Sequence, residues 1–276
     1  MPRRQQTGSS ILGNSDKFPN VRALLLAAGL GTRLKPFTDT WPKCLMPIQK
    51  KALLEIWLDN LQVLGLEGVL VNLHAHSEIV KDFLDRPKYK NWAKGVYEPE
   101  LLGTAGTIRQ NMAYFAGQTT FLAHADNLCV CDFSAFFEFH THHRPMGTVM
   151  TMMTFSTETP QTCGIVETDG NGLVIKFHEK TANPPGNRAN AAIYLIEPEV
   201  LDWLKDRKAV TDFSTEVIPE FLGKIATWHN PHVMRDIGSP EALMAAQNDL
   251  PPAGSSPIDA WQERFLKNPI HSRILR

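Results

Sequence analysis

The apolar stretch from Val21 to Ala28, interrupted only by Arg22, ends abruptly in Gly29-Leu30-Gly31-Thr32-Arg33. A short run of this kind reads as a strand buried on both faces, the pattern of a parallel strand inside an α/β layer. Glycines directly after it let the backbone approach a ligand closely and turn N–H groups toward phosphate oxygens. Arg33 adds a fixed guanidinium fork, and Lys43, ten residues on, adds a mobile ammonium. Two cations beside a glycine turn after a strand point to a polyphosphate ligand.

Two familiar glycine motifs do not fit. A Walker P-loop closes on Gly-Lys-Ser/Thr, whereas this loop closes on Gly-Thr-Arg. A dinucleotide fingerprint needs a third glycine where this chain has Leu34, which disfavours a dinucleotide oxidoreductase.

The rest of the first half alternates. Strands are expected at 21–28, 68–73, 95–98 and 119–123, and helices at 52–64, 77–85, 104–115 and 133–142. This spacing predicts βαβ units and a Rossmann-like, mostly parallel α/β sheet with helices on both faces. Ligands of such sheets sit beyond the carboxyl ends of the strands, where both the glycine turn and Asp126 fall. The second half brings a strand at 148–155 and a hairpin around Asp169-Gly170-Asn171-Gly172. A strand at 191–197 and a helix opened by Pro198 follow. A last helix is capped by Ser239 with Pro240 in its first turn.

With 276 residues, 43% hydrophobic and 21% charged, the chain suits one large globular domain. We divide it into a disordered tail at 1–20, a catalytic domain at 21–249, and a linker with a short C-terminal extension at 250–276. A net charge of −1 offers no global attraction to nucleic acid or anionic membrane, and neither is expected as a partner. Arg3 and Arg4 are not followed by an apolar core, so no export signal is expected. Cys44, Cys129, Cys131 and Cys163 lack zinc-knuckle spacing and read as buried reduced thiols of a cytoplasmic protein. His140, His142 and His143 close a helix, where histidine suits the dipole, and no further ligands stand at zinc spacing.

The string Gly-x-Gly-Thr-Arg-Leu-x-Pro-x-Thr, followed by Pro-Lys-Cys-Leu-Met-Pro, resembles the signature of the sugar-1-phosphate nucleotidylyltransferases. The resemblance runs from about Val21 to Gln247. It implies that a sugar-1-phosphate attacks the α-phosphorus of an NTP and that pyrophosphate leaves. NTP and sugar-1-phosphate are then the expected partners, Mg²⁺ the expected cofactor, and a homodimer the candidate assembly.

Residue by residue, the resemblance implies that Arg33 holds the triphosphate and Lys43 stabilises charge at the reacting phosphorus. Leu26, Ala27, Gly29, Gly31, Thr32, Gly103 and Thr104 would surround the nucleotide, with Asn72 as a further side-chain contact. Asp126 and Asp236 would hold Mg²⁺. Gly164, Glu179, Lys180 and Asn190 would hold the sugar phosphate, with His124 and Trp228 next in line. Two residues depart from the family pattern: Ala125 precedes the first aspartate, and Ala192 stands in the Asn-Ala-Gly-Ile-Tyr string, each where relatives carry glycine. No hexapeptide repeats follow, so the β-helix tail of some members is not expected. Glu98-Pro99 and Gly103-Thr104-Ala105-Gly106 look more like mannose-1-phosphate and heptose-1-phosphate guanylyltransferases than thymidylyltransferases, so GTP is the favoured nucleotide. Compact uridylyltransferases are also similar. A non-catalytic, nucleotide-sugar-binding regulatory relative should lose a cation or an aspartate, and this chain keeps Arg33, Lys43, Asp126 and Asp236.

Overall fold

The computed structural model describes residues 18–250 and 258–274. The expected tail at 1–17 and the linker at 251–257 lie outside them. Thirteen strands run in chain order: β1 Val21–Leu26, β2 Pro47–Ile48, β3 Lys51–Ala52, β4 Gly68–Leu73, β5 Ala93–Tyr97, β6 Thr119–His124, β7 Asn127–Cys129, β8 Met150–Ser156, β9 Gly164–Thr168, β10 Val174–Glu179, β11 Arg188–Ile196, β12 Ile225–His229 and β13 Met234–Asp236. The α-helices are α1 Leu53–Val63, α2 Ser77–Leu84, α3 Thr104–Gln110, α4 Met112–Phe115, α5 Phe133–Glu138, α6 Pro198–Lys205, α7 Pro240–Ala246, α8 Ala260–Leu266 and α9 Ile270–Ile274.

The central sheet is mixed. Its first half, β5-β4-β1-β6, is wholly parallel. β11 then pairs antiparallel with β6, and it carries β8 and β9 as further antiparallel neighbours. The period-2 geometry of β1 explains why its sequence is apolar throughout. Val21, Ala23 and Leu25 face a core shared with α1, α2 and α5, while Leu24 and Leu26 face a second core shared with α3 and α6. The expected helices on both faces are therefore present. Pairing stops at Leu26, two residues short of the apolar run, because Ala27 and Ala28 turn their N–H groups to Asn72 instead.

The expected helix at 104–115 breaks at Asn111, whose side chain donates back to the Thr107 carbonyl. The one at 133–142 ends in a π-turn over Phe139–His143. Asp169 Oδ1 accepts from the Asn171 and Leu173 amides and closes the β9–β10 hairpin as its sequence demands. Within the expected tail, the described residue Phe18 packs on Phe137 with ring centroids 5.0 Å apart. The C-terminal extension is part of the fold. Trp261 and Phe265 of α8 enter the first core, and buried Arg86 bonds both Glu55 of α1 and Asp259 at the α8 N-cap. No helix among the described residues is long and apolar enough to cross a membrane. No β-helix appears among them.

Candidate active site

β1, β4, β5 and β6 end on one edge of the sheet, and the predicted residues gather there. Gly31 adopts a left-handed conformation at φ 61°, and an added Cβ would lie 2.7 Å from the Thr38 methyl carbon. Only glycine fits this turn without a shift. The chain next forms single 3₁₀ turns that present Arg33 outward and Lys43 inward. Arg33 keeps 75% of its side chain exposed, whereas Lys43 is only 7% exposed.

Lys43 Nζ lies 2.9 Å from Asp126 Oδ2 and 2.9 Å from Asp236 Oδ1. Asp236 reaches this point from β13, which pairs with β7 immediately after Asp126. Its other oxygen accepts from Arg33 at 2.9 Å. Four residues separated by up to about two hundred positions in sequence thus meet in one charge cluster. Burial opposes the Lys43 charge, but Asp126 and Asp236 outweigh it and hold its pKa above the ordinary lysine value. Burial likewise pushes Asp236 up, yet Lys43 and Arg33 leave it below the ordinary aspartate value. Lys43 and Asp236 both stay charged at neutral pH. Among the described residues no cluster of three or more His, Cys, Asp or Glu side chains could hold a metal. Two carboxylates do suit a hard cation that takes its other oxygens from water and phosphate, as Mg²⁺ does.

Two hollows meet at Asp126 and Leu101. One, of about 350 Å³, is lined by Leu30, Gly31, Thr32, Arg33, Lys43 and Gly238. The other, of about 190 Å³, is lined by Leu26, Ala28, Gly29, Asn72, Glu98, Gly103, Thr104, Thr107 and His124. The first presents Arg33 and Lys43 and the second is largely apolar, the division that a triphosphate and a nucleoside would need. His124, which precedes Ala125, is kept below its ordinary pKa chiefly by burial.

Asn72 lines the smaller hollow and is bonded on both sides of its amide, as a satisfied turn asparagine would be. Its Oδ1 accepts from the amides of Ala27 (2.6 Å) and Ala28 (3.2 Å), and its Nδ2 donates to buried Glu98 and Thr107. These bonds shape the pocket floor. The Ala27 N–H is taken for the same reason, leaving its carbonyl for a ligand. Glu98 organises this floor: it also accepts from Thr107 Oγ1 at 2.6 Å and from the Leu102 amide. The motif string contained Glu98, but nothing in the sequence signalled that it would be 3% exposed.

The turn at Gly103 has φ 74°, and a Cβ there would meet the Thr211 carbonyl at 2.5 Å. That carbonyl accepts from the Ala105 and Gly106 amides, and Thr104 Oγ1 accepts from the Phe213 amide at 2.6 Å. The segment 211–216 was missed by sequence reasoning. Glu216 accepts from the amides of Thr211 and Asp212, and the Phe213 ring packs 4.9 Å from Tyr194. It braces the Gly103-Thr104 turn on one side and Tyr194 of β11 on the other.

In the region expected to hold the sugar phosphate, Gly164 lies beneath Glu179, and an added Cβ would sit 2.8 Å from Glu179 Oε2. β9 and β10 set these two residues directly opposite each other. Lys180 follows in a left-handed conformation and pairs with Glu179 at 3.1 Å. Asn190 donates to the Tyr194 hydroxyl at 2.6 Å and accepts from the Ala192 amide at 2.9 Å. These bonds span an irregularity in β11 where Ala192 takes φ 54°. The departure from glycine at Ala192 therefore falls on a position that glycine suits better. Trp228 packs on Phe136 instead of facing this side, with centroids 5.5 Å apart.

Outside the site, His140 is buried and bonds Thr151 and Glu197, which accounts for it without a metal. All four cysteines are free; Cys44 and Cys129 are buried as expected, but Cys131 and Cys163 are partly exposed.

The profile of the nucleotidyl transferase family matches residues 22–252. A probable mannose-1-phosphate guanylyltransferase 3 from Oryza sativa subsp. japonica is 30% identical over 228 residues, covering 80% of this chain and 62% of its own length. A UTP–glucose-1-phosphate uridylyltransferase from Synechocystis is 31% identical over 216 residues, covering 73% and 55%. The chain thus spans under two thirds of the length of these relatives. In fold, it is similar to a putative glucose-1-phosphate thymidylyltransferase from Bacillus anthracis, with a TM-score of 0.75 at 18% identity, covering 86% of this chain and 98% of that one.

Proposed function

This chain belongs to the nucleotidyl transferase family, and on that premise we propose that it transfers a nucleotidyl group from an NTP to a sugar-1-phosphate. The observation that carries this reading is the convergence of Lys43, Asp126, Asp236 and Arg33 at the carboxyl edge of the parallel strands. Both reactants are anions, so the site must neutralise charge and hold an in-line geometry. Arg33 is exposed and forked, suited to clamp the β- and γ-phosphates. Lys43 is buried and remains cationic, suited to charge that grows on the pyrophosphate as it leaves. The sugar-phosphate oxygen forms the new bond to the α-phosphorus, and the bond to the β-phosphate oxygen breaks with its electron pair. Asp126 and Asp236 would hold Mg²⁺, which when bound supplies Lewis-acid stabilisation of the phosphoryl oxygens.

We assign the roughly 190 Å³ hollow to the nucleoside, with the Gly103-Thr104 turn and the Leu26 and Ala27 carbonyls as its polar contacts. Glu179 would accept from sugar hydroxyls, and Lys180 would hold the sugar phosphate. GTP and mannose-1-phosphate, or a manno-configured heptose-1-phosphate, are the favoured pair, supported by the guanylyltransferase relatives. The uridylyltransferase relative at similar identity keeps UTP as a second reading. Free cysteines are in keeping with a cytoplasmic enzyme. The test is purified protein with Mg²⁺ and each NTP against mannose-1-phosphate, heptose-1-phosphate and glucose-1-phosphate, reading the nucleotide sugar by mass. GDP-mannose or a GDP-heptose as the main product is expected. A UDP- or TDP-sugar would overturn the substrate choice, and no product from any pair would overturn the activity.

A further inference from the structure

The aspartates already have a cation between them. We propose that Asp126 and Asp236 form one cation site for which the Lys43 ammonium and the divalent metal compete, so that metal enters only after an anionic ligand draws Lys43 away. The inference rests on the nucleotidyl-transfer reading of the site and adds an order of events to it.

Three observations support it. Lys43 Nζ stands 2.9 Å from one oxygen of each carboxylate, between the two side chains that would hold a metal. The ammonium is held between both carboxylates, its side chain only 6% exposed, and it borders the roughly 350 Å³ hollow. Finally, the charges balance before any ligand arrives. Asp126 and Asp236 contribute two negative charges, and Lys43 and Arg33 two positive ones. A neutral cluster does not attract a divalent ion, and no third carboxylate, histidine or cysteine joins the pair among the described residues. A triphosphate changes both terms. It offers Lys43 and Arg33 stronger anionic partners, and it supplies the phosphate oxygens that a hard cation requires. Lys43 then has two stations, the carboxylate pair in the empty protein and the phosphates in the loaded one.

The probe is Mn²⁺, followed by the loss of its free paramagnetic resonance signal. Wild-type protein alone should bind it weakly, and an α,β-methylene GTP analogue should tighten binding beyond the affinity of the analogue alone. Lys43→Met removes the competitor and leaves the two carboxylates with Arg33, on Asp236, as their remaining cationic partner, so the nucleotide-free variant should bind Mn²⁺ at least roughly tenfold tighter than wild type. Its melting temperature should rise on adding Mn²⁺ more than that of wild type. Lys43→Gln, closer in shape, guards against misfolding and should behave alike. Unchanged or weaker Mn²⁺ binding by both variants, with the wild-type analogue complex still binding metal, would overturn the competition alone. Absence of protein-dependent Mn²⁺ binding even with the analogue would instead overturn the metal reading of the aspartates.

Discussion

The end of this cleft proposed to hold phosphate and the end proposed to hold the sugar are built differently. At the phosphate end, charged side chains lock one another: Lys43 is buried between two aspartates, and Arg33 closes the set. At the sugar end, Glu179 and Lys180 form an ion pair whose lysine is 65% exposed, and Lys180 and Ala192 both sit at positive φ. A reaction common to many substrates needs one fixed charge geometry, whereas the choice of sugar needs a surface that differs between relatives. The contrast suggests that chemistry is set at one end and selectivity at the other.

The sharpest way to break this division is Asp126→Asn. Turnover should fall by roughly 10²–10³-fold or more, because metal and Lys43 both lose a charged partner. The circular dichroism spectrum should stay unchanged. A fall of only a few fold would mean that the phosphate end does not carry the chemistry.

The sugar end should respond in ratios more than in rate. Glu179→Ala should erode the preference among mannose-, heptose- and glucose-1-phosphate by roughly tenfold, since a hydroxyl-reading acceptor is lost. Lys180→Ala should raise KM for all three alike. Equal selectivity ratios in Glu179→Ala and wild type would place sugar reading elsewhere, with the Thr211–Glu216 segment as the next region to vary.

A control lies away from both ends. Burial holds the His140 imidazole below its ordinary pKa, although it bonds Glu197. A depressed histidine pKa means that the unfolded chain binds the proton first. Its contribution to stability is therefore full above about pH 6.5 and is lost as pH falls through the lower folded value. Urea midpoints of wild type should decline on acidification through this window, and those of His140→Gln should decline less. Parallel declines would contradict the assignment.

The smallest effect is expected at Ala192→Gly. A non-glycine residue at φ 54° costs about 1 kcal/mol, partly offset by the entropy of glycine, so the urea midpoint should rise slightly. A lower midpoint would show that the Ala192 methyl contributes packing that outweighs the strain.

Much of this was legible in the sequence, for physical reasons. Strand β1, its glycine turn and the β9–β10 hairpin follow from local periodicity and turn chemistry, and all three occupy their expected places. Arg33 and Lys43 came from a motif, Asp126 and Asp236 from the wider family resemblance, and the fold brings all four together. What the sequence did not reveal depends on long-range packing. Asn72 looks like any polar residue at a strand end until Glu98 and Thr107 fold over it. Thr211 and Phe213 carry no motif, and they matter because β11 and α3 place Tyr194 and Thr104 within their reach. The C-terminal helix looked like an appendage because the partners of Trp261 and Asp259 lie about 175 residues earlier.

The central claim is that one charge cluster performs metal-assisted nucleotidyl transfer. Its most direct test is single-turnover release of pyrophosphate from GTP and mannose-1-phosphate, with Mg²⁺ and with excess chelator. The account predicts release with the metal and a return to background with the chelator. Release that is indifferent to chelation would contradict it.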